Sequence, residues 1–296
     1  MNLTCRLRWP SLLLPALSLT GLSLTGLLLA GCSLQRVAVK GITPALDNFV
    51  AALYAEPDLE LARGAFETDL HLLEGLRRTQ DSPRLLELQA TALTGYGLVY
   101  WEGVDDERAC GFYLRARDLG LRLLGSDPFG LEEEAFQAWL KARGKSDLPA
   151  LFWTAFPYGA WMNLNLDSQE AIFSLPRVEA MARRCLELDE GYFFGAGHLF
   201  LGALDCTRPR FVGGNPERGR EHFQAAARLG GADFLLPLLF EARHYCPAAL
   251  DEDRFDEILD EAGREPARFA AHPQALLNAW CLEQLQRLSE CRGDLF

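Results

Sequence analysis

Pro209-Arg210-Phe211-Val212-Gly213-Gly214-Asn215-Pro216, running into Glu217-Arg218-Gly219-Arg220-Glu221-His222-Phe223-Gln224-Ala225-Ala226-Ala227-Arg228-Leu229, places a helix start and a helix face in immediate succession. The Gly-Gly turn needs no Cβ, Asn215 can cap, and Pro216 falls at the first helical position, where its missing N–H is not required. Gly219, Phe223, Ala226 and Leu229 then recur at i, i+4, i+7 and i+10, one face of a 3.6-residue period. This small, aromatic, alanine spacing is the second-helix signature of a tetratricopeptide repeat.

The pattern recurs. Ala109, Tyr113, Ala116 and Leu119 reproduce it, and Val178, Ala182, Cys185 and Leu188 repeat it without the aromatic. The starts lie 69 and 41 residues apart. The first interval is close to two repeats of about 34 residues; the second is one repeat plus an excess that the turn 208–214 can absorb. The expected fold is therefore all-α, a tetratricopeptide-like solenoid of helical hairpins over residues 43–296. Helices are expected at about 58–79, 83–101, 105–124, 177–189, 191–204, 216–229, 232–245, 251–263 and 273–290, bounded by capping or breaking residues such as Asp81-Ser82-Pro83. Residues 127–146, acidic and least repeat-like, read as a decorating helix or lobe.

The N-terminus carries a different signal. Arg6 and Arg8 precede a Leu-rich run that ends Leu29-Ala30-Gly31-Cys32. This is a lipoprotein signal peptide over residues 1–31, with Cys32 as the lipidated N-terminus and 32–42 as a tether. Ser33 in place of Asp favours the outer membrane. Loss of the two arginines takes the formal charge from −12 to −14. So acidic a protein is no partner for nucleic acid, whose phosphates call for clustered Lys and Arg.

Of the eight cysteines, six lie beyond Cys32, in an oxidising compartment and without CxxC spacing. A disulfide between Cys206 and Cys246 is expected, because each ends the first helix of a hairpin and equivalent ends share one side of a solenoid. Packed helices lie about 8–10 Å apart and a disulfide needs Cα atoms within about 7 Å, so these ends would have to converge.

The least ordinary segment runs from Leu148 to Met162, with five aromatics in the ten positions from Phe152 to Trp161. They do not keep to one helical face, so the segment is either wholly buried or lines something apolar. If the second, Phe152, Trp153, Phe156 and Trp161 are the candidate wall of a hydrophobic channel, and Pro157 helps by opening the helix backbone. Few acidic groups lie nearby, so an uncharged or weakly anionic apolar solute fits better than a cation.

The usual marks of catalysis and cofactor binding are missing. The five histidines form no metal-ligand spacing, Gly195-Ala196-Gly197 lacks the third glycine and preceding strand of a dinucleotide site, and neither a nucleophile elbow nor a P-loop occurs. No catalytic residue, metal or cofactor is expected.

Taken in order, Ala92 to Tyr100, Ala109 to Leu124, Pro149 to Trp161, Leu186 to Gly202, Phe211 to Leu229, Leu276 to Asn278 and the terminal Asp294-Leu295-Phe296 resemble the T-component of TRAP (tripartite ATP-independent periplasmic) transporters, the TatT-type lipoproteins. The resemblance implies a tetratricopeptide-like periplasmic lipoprotein that associates with the transporter's solute-binding P-component. It also implies a homotrimer with a hydrophobic channel through each subunit and a role in handling apolar ligands. Two alternatives stand beside it: a scaffold lipoprotein of the outer-membrane assembly type without a small ligand, and an envelope hydrolase whose site the sequence does not display.

Overall fold

A computed structural model describes residues 37–296. The lipidation residue Cys32 and the signal segment lie outside the described residues. The chain divides into two units, Met1–Pro44 and Ala45–Phe296. Within the first, residues 37–44 are helical. The second unit holds the helices that follow, beginning with α1 (45–54). Among the described residues there is no strand.

Five helices of the larger unit open on a side-chain cap. Asp58, Ser82, Asp105, Asn215 and Asp251 accept hydrogen bonds from the first-turn amides of α2 (Leu59–Thr79), α3 (Pro83–Tyr100), α4 (Asp106–Leu124), α9 (Pro216–Gly230) and α12 (Glu252–Arg264). Each cap satisfies an amide that the helix itself cannot. Asn215 and Pro216 take the cap and first-turn places read from the sequence, Asn215 Oδ1 accepting from Arg218 N at 3.2 Å.

The helices pack on their neighbours in chain order: α2 on α3, α3 on α4, α4 on α6 (Leu148–Asn163), α6 on α7 (Gln169–Leu188), α7 on α8 (Ala196–Thr207) and α8 on α9. The faces that meet are those the spacing picks out. Ala109, Tyr113, Ala116 and Leu119 of α4 are buried, as are Gly219, Phe223 and Ala226 of α9, whereas Leu229 is exposed. Helix α7 begins well before Arg177 and passes through Pro176.

The stretch 127–146 lies between α4 and α6 without separating them. It forms a short helix, α5 (Glu133–Lys141), pinned from outside by two arginines of α7. Arg177 donates to the carbonyls of Pro128, Phe129 and Leu131, and Arg184 donates to that of Arg143 at 2.7 Å. Beneath it α4 and α6 approach so closely that a Cβ on Gly120 would lie 2.6 Å from the Thr154 backbone nitrogen. Only glycine fits there.

Between α7 and α8 the chain turns through three consecutive left-handed residues, Phe193, Phe194 and Gly195, with φ of 48°, 58° and 74°. The Phe193 ring meets Phe152 and Trp153 of α6, and the Phe194 ring meets Phe234 and His272. This turn stands where the sequence suggests the first residues of a helix.

The C-terminal part starts at Asn278 of α14 (Ala275–Glu290), a buried amide that accepts from Leu235 N at 2.9 Å and donates to the carbonyls of Asp233 and Phe269. It fixes the entry to α10 (Leu236–Phe240), which continues through a π-helical turn, Glu241–Tyr245, into α11 (Cys246–Ala249). Two short helices, α13 (Pro266–Phe269) and α15 (Arg292–Leu295), complete the chain.

Candidate functional site

Helices α3, α4, α6, α7, α8 and α10 leave an apolar cavity of about 180 Å3 between them. Leu98 of α3, Phe156 and Ala160 of α6, and Phe200 of α8 line it and are for that reason only half-buried, although each lies on an interior helix. Gly159 adds to the wall; a Cβ there would lie 2.3 Å from the Phe200 ring, which therefore packs directly on the α6 backbone. Leu166 and Ile172, between and at the start of α6 and α7, form a strongly exposed apolar rim, and Phe173 beside them is 78% exposed.

The four aromatics singled out in the sequence take different places. Phe156 lines the cavity, while Phe152 faces a void of about 10 Å3 behind it, stacked on Phe156 at 4.9 Å. Trp153 and Trp161 line neither; both are buried among other aromatics, Trp153 against Phe152 and Phe193, Trp161 against Tyr158. Helix α6 is buried on nearly every side, so the absence of a single apolar face reflects burial first and the cavity second.

One end of the cavity is polar. Glu102, just beyond α3, accepts a 2.5 Å hydrogen bond from the Tyr113 hydroxyl. Burial pushes its carboxyl above the usual range, with the Tyr113 bond and the positive charge of Arg243 pulling the other way. Arg243 and His244 reach the cavity from the π turn. His244 rests on Phe240 and Phe223, and burial pushes its imidazole down to about 3, so it faces the cavity as a neutral ring. Sequence reasoning missed Glu102, Arg243 and His244, because each sits in a helical context that looks ordinary until the tertiary fold brings them together.

Cys206 and Cys246 are both buried free thiols, so the expected disulfide is not formed. The Cys206 sulfur is turned onto α9, 2.3 Å from where a Cβ on Gly219 would lie and 3.8 Å from the Pro216 carbonyl. Among the described residues no three His, Cys, Asp or Glu side chains could jointly hold a metal, and no helix is long and apolar enough to cross a membrane.

The described residues thus form an all-α array of consecutively packed helices around an apolar, partly open cavity. Residues 55–296 match the family model of the TRAP transporter T-component, and the chain belongs to that family. No curated protein matches it.

Proposed function

We propose that this protein is the lipid-anchored T-component of a TRAP-type uptake system, held in the periplasm by Cys32, in the outer membrane, and associated with the solute-binding P-component as it handles an apolar ligand. The observation that carries this reading is the cavity lined by Phe156, Ala160 and Phe200, open at an exposed apolar rim. A rim of that kind suits passage of an apolar solute between two proteins, since it keeps the solute from water during transfer. The tetratricopeptide-like solenoid and the homotrimer belong to the same proposal and rest on the family resemblance and on the repeated faces of α4, α7 and α9. The role is one of binding and transfer, without catalysis.

Solubilised membranes containing the tagged full-length protein should retain the P-component on affinity capture, and Leu166→Asp with Ile172→Asp should release it. Capture of outer-membrane assembly proteins in its place, with no P-component and no uptake of an apolar fluorescent probe, would favour the scaffold alternative and end this reading. Replacement of Cys32 by Ser should leave an unprocessed precursor.

A further inference from the structure

Several arginines of the C-terminal part are matched to carboxylates; among the described residues Arg210, Arg228, Arg243 and Arg287 are not, and of these four only Arg243 lines the cavity, the other three being exposed. Arg254 donates twice to the buried Glu241 at 3.0 Å, Arg220 lies 3.3 Å from the same carboxylate, and Arg218 is paired with the buried Asp205. Arg243 differs. Its guanidinium donates to the neutral Gln284 Oε1 at 2.9 Å and faces the Trp280 ring, and among the described residues it has no carboxylate within ion-pair distance. Glu102, which feels its charge, is engaged by Tyr113.

Arg243 is also placed by an irregular backbone. A π turn inserts one extra residue into a helix, and such turns cluster at functional sites. Here the turn divides neighbouring charges: Glu241 goes to Arg220 and Arg254, while Arg243 and His244 line the cavity. Arg243 is a half-buried residue lining an apolar space, and its guanidinium, with several donors and no carboxylate among the described residues, is a fork that suits a planar acceptor.

We infer that the cavity takes an apolar monocarboxylic acid, its body between Phe156, Phe200 and Phe240 and its carboxylate on Arg243. This inference rests on the cavity being the ligand site, as proposed above. The size is consistent: about 150 Å3 accommodates benzene, so 180 Å3 accommodates an aromatic ring with a short carbon chain. Arg243 is the one arginine or lysine lining the cavity, which sets the class as monocarboxylates rather than dicarboxylates. His244, neutral, adds no competing charge.

Three probes of one shape test this: 3-phenylpropanoate, 3-phenylpropanamide and 3-phenylpropylammonium, titrated calorimetrically into the full-length protein. The anion should bind at least about tenfold more tightly than the amide, and the ammonium most weakly. Arg243→Gln should bring the anion down to the affinity of the amide and leave the amide unchanged, whereas Arg243→Lys should keep part of the preference. Equal binding of acid and amide by the unaltered protein would overturn the carboxylate inference while leaving the cavity reading intact. Equal loss of both ligands in Arg243→Gln would also overturn it. No binding by any of the three would overturn the cavity reading and this inference together.

Discussion

Trp153→Ala separates a core aromatic from a cavity wall. The indole is 2% exposed, meets Phe152 at 5.0 Å and Phe193 at 5.1 Å, both edge to face, and lies where α4 presses on α6 at Gly120. Truncation removes a large buried group that close-packed neighbours cannot replace, at a cost of about 3–5 kcal/mol. Two lost aromatic pairs fall within that figure, at about 0.5–1.5 kcal/mol each. In a domain of this size each kcal/mol lowers Tm by about 2–4 °C, so a fall of about 6–20 °C is expected. Trp153→Phe, which keeps a ring, should fall much less. Urea unfolding followed by far-UV circular dichroism reads the free energy, and binding of 3-phenylpropanamide reads the cavity. A loss under about 1 kcal/mol together with a large change in ligand affinity would refute the assignment of Trp153 to the core.

Three further outcomes follow from the packing and the charges. Gly120→Ala must push α4 from the α6 backbone and should cost about 1–3 kcal/mol in the same urea experiment, whereas in a helix with open surroundings the same change stabilises by up to about 1 kcal/mol. His244 is held neutral down to about 3 when folded but takes a proton near 6.5 when unfolded; the unfolded state therefore gains protons first, and stability is lost as pH falls through that window. His244→Phe should flatten this slope relative to the unaltered protein in thermal melts between pH 7 and pH 4. Burial pushes the Cys206 and Cys246 thiols up to about 12, so both should resist alkylation in the native protein, react after unreduced denaturation and leave no disulfide-linked peptide, while exposed Cys291 reacts at once.

What could be read from the sequence was what depends on near neighbours. The cap at Asn215, the start at Pro216 and the buried faces of α4 and α9 are set by residues within a few turns of one another, and they stand where the spacing puts them. The decorating character of 127–146 was legible for the same reason, in its broken pattern. The cavity was not. Its wall is assembled from helices as far apart in the chain as α3 and α10, and only Phe156 among the four chosen aromatics reaches it. Trp153 and Trp161 carry the same apolar signal as Phe156, and composition cannot tell a ring packed on other rings from one facing a gap. Arg243 was hidden for a further reason: Leu-Phe-Glu-Ala-Arg-His-Tyr reads as regular α-helix, and the π turn that re-aims its charges has no local mark. The disulfide failed because a solenoid argument places helix ends on one side without saying which way each sulfur turns.

The turn at Phe193 and Phe194 has a mechanical consequence. Each left-handed phenylalanine stands about 1–2 kcal/mol above its right-handed alternative, and the backbone offsets part of this through the Ala196 N–H, which donates to the Phe193 carbonyl. The rings add to that restraint, one held against α6 and the other against Phe234 and His272. Successive side chains are thrown to two different partners, so the turn rivets the middle of the chain to its C-terminal third.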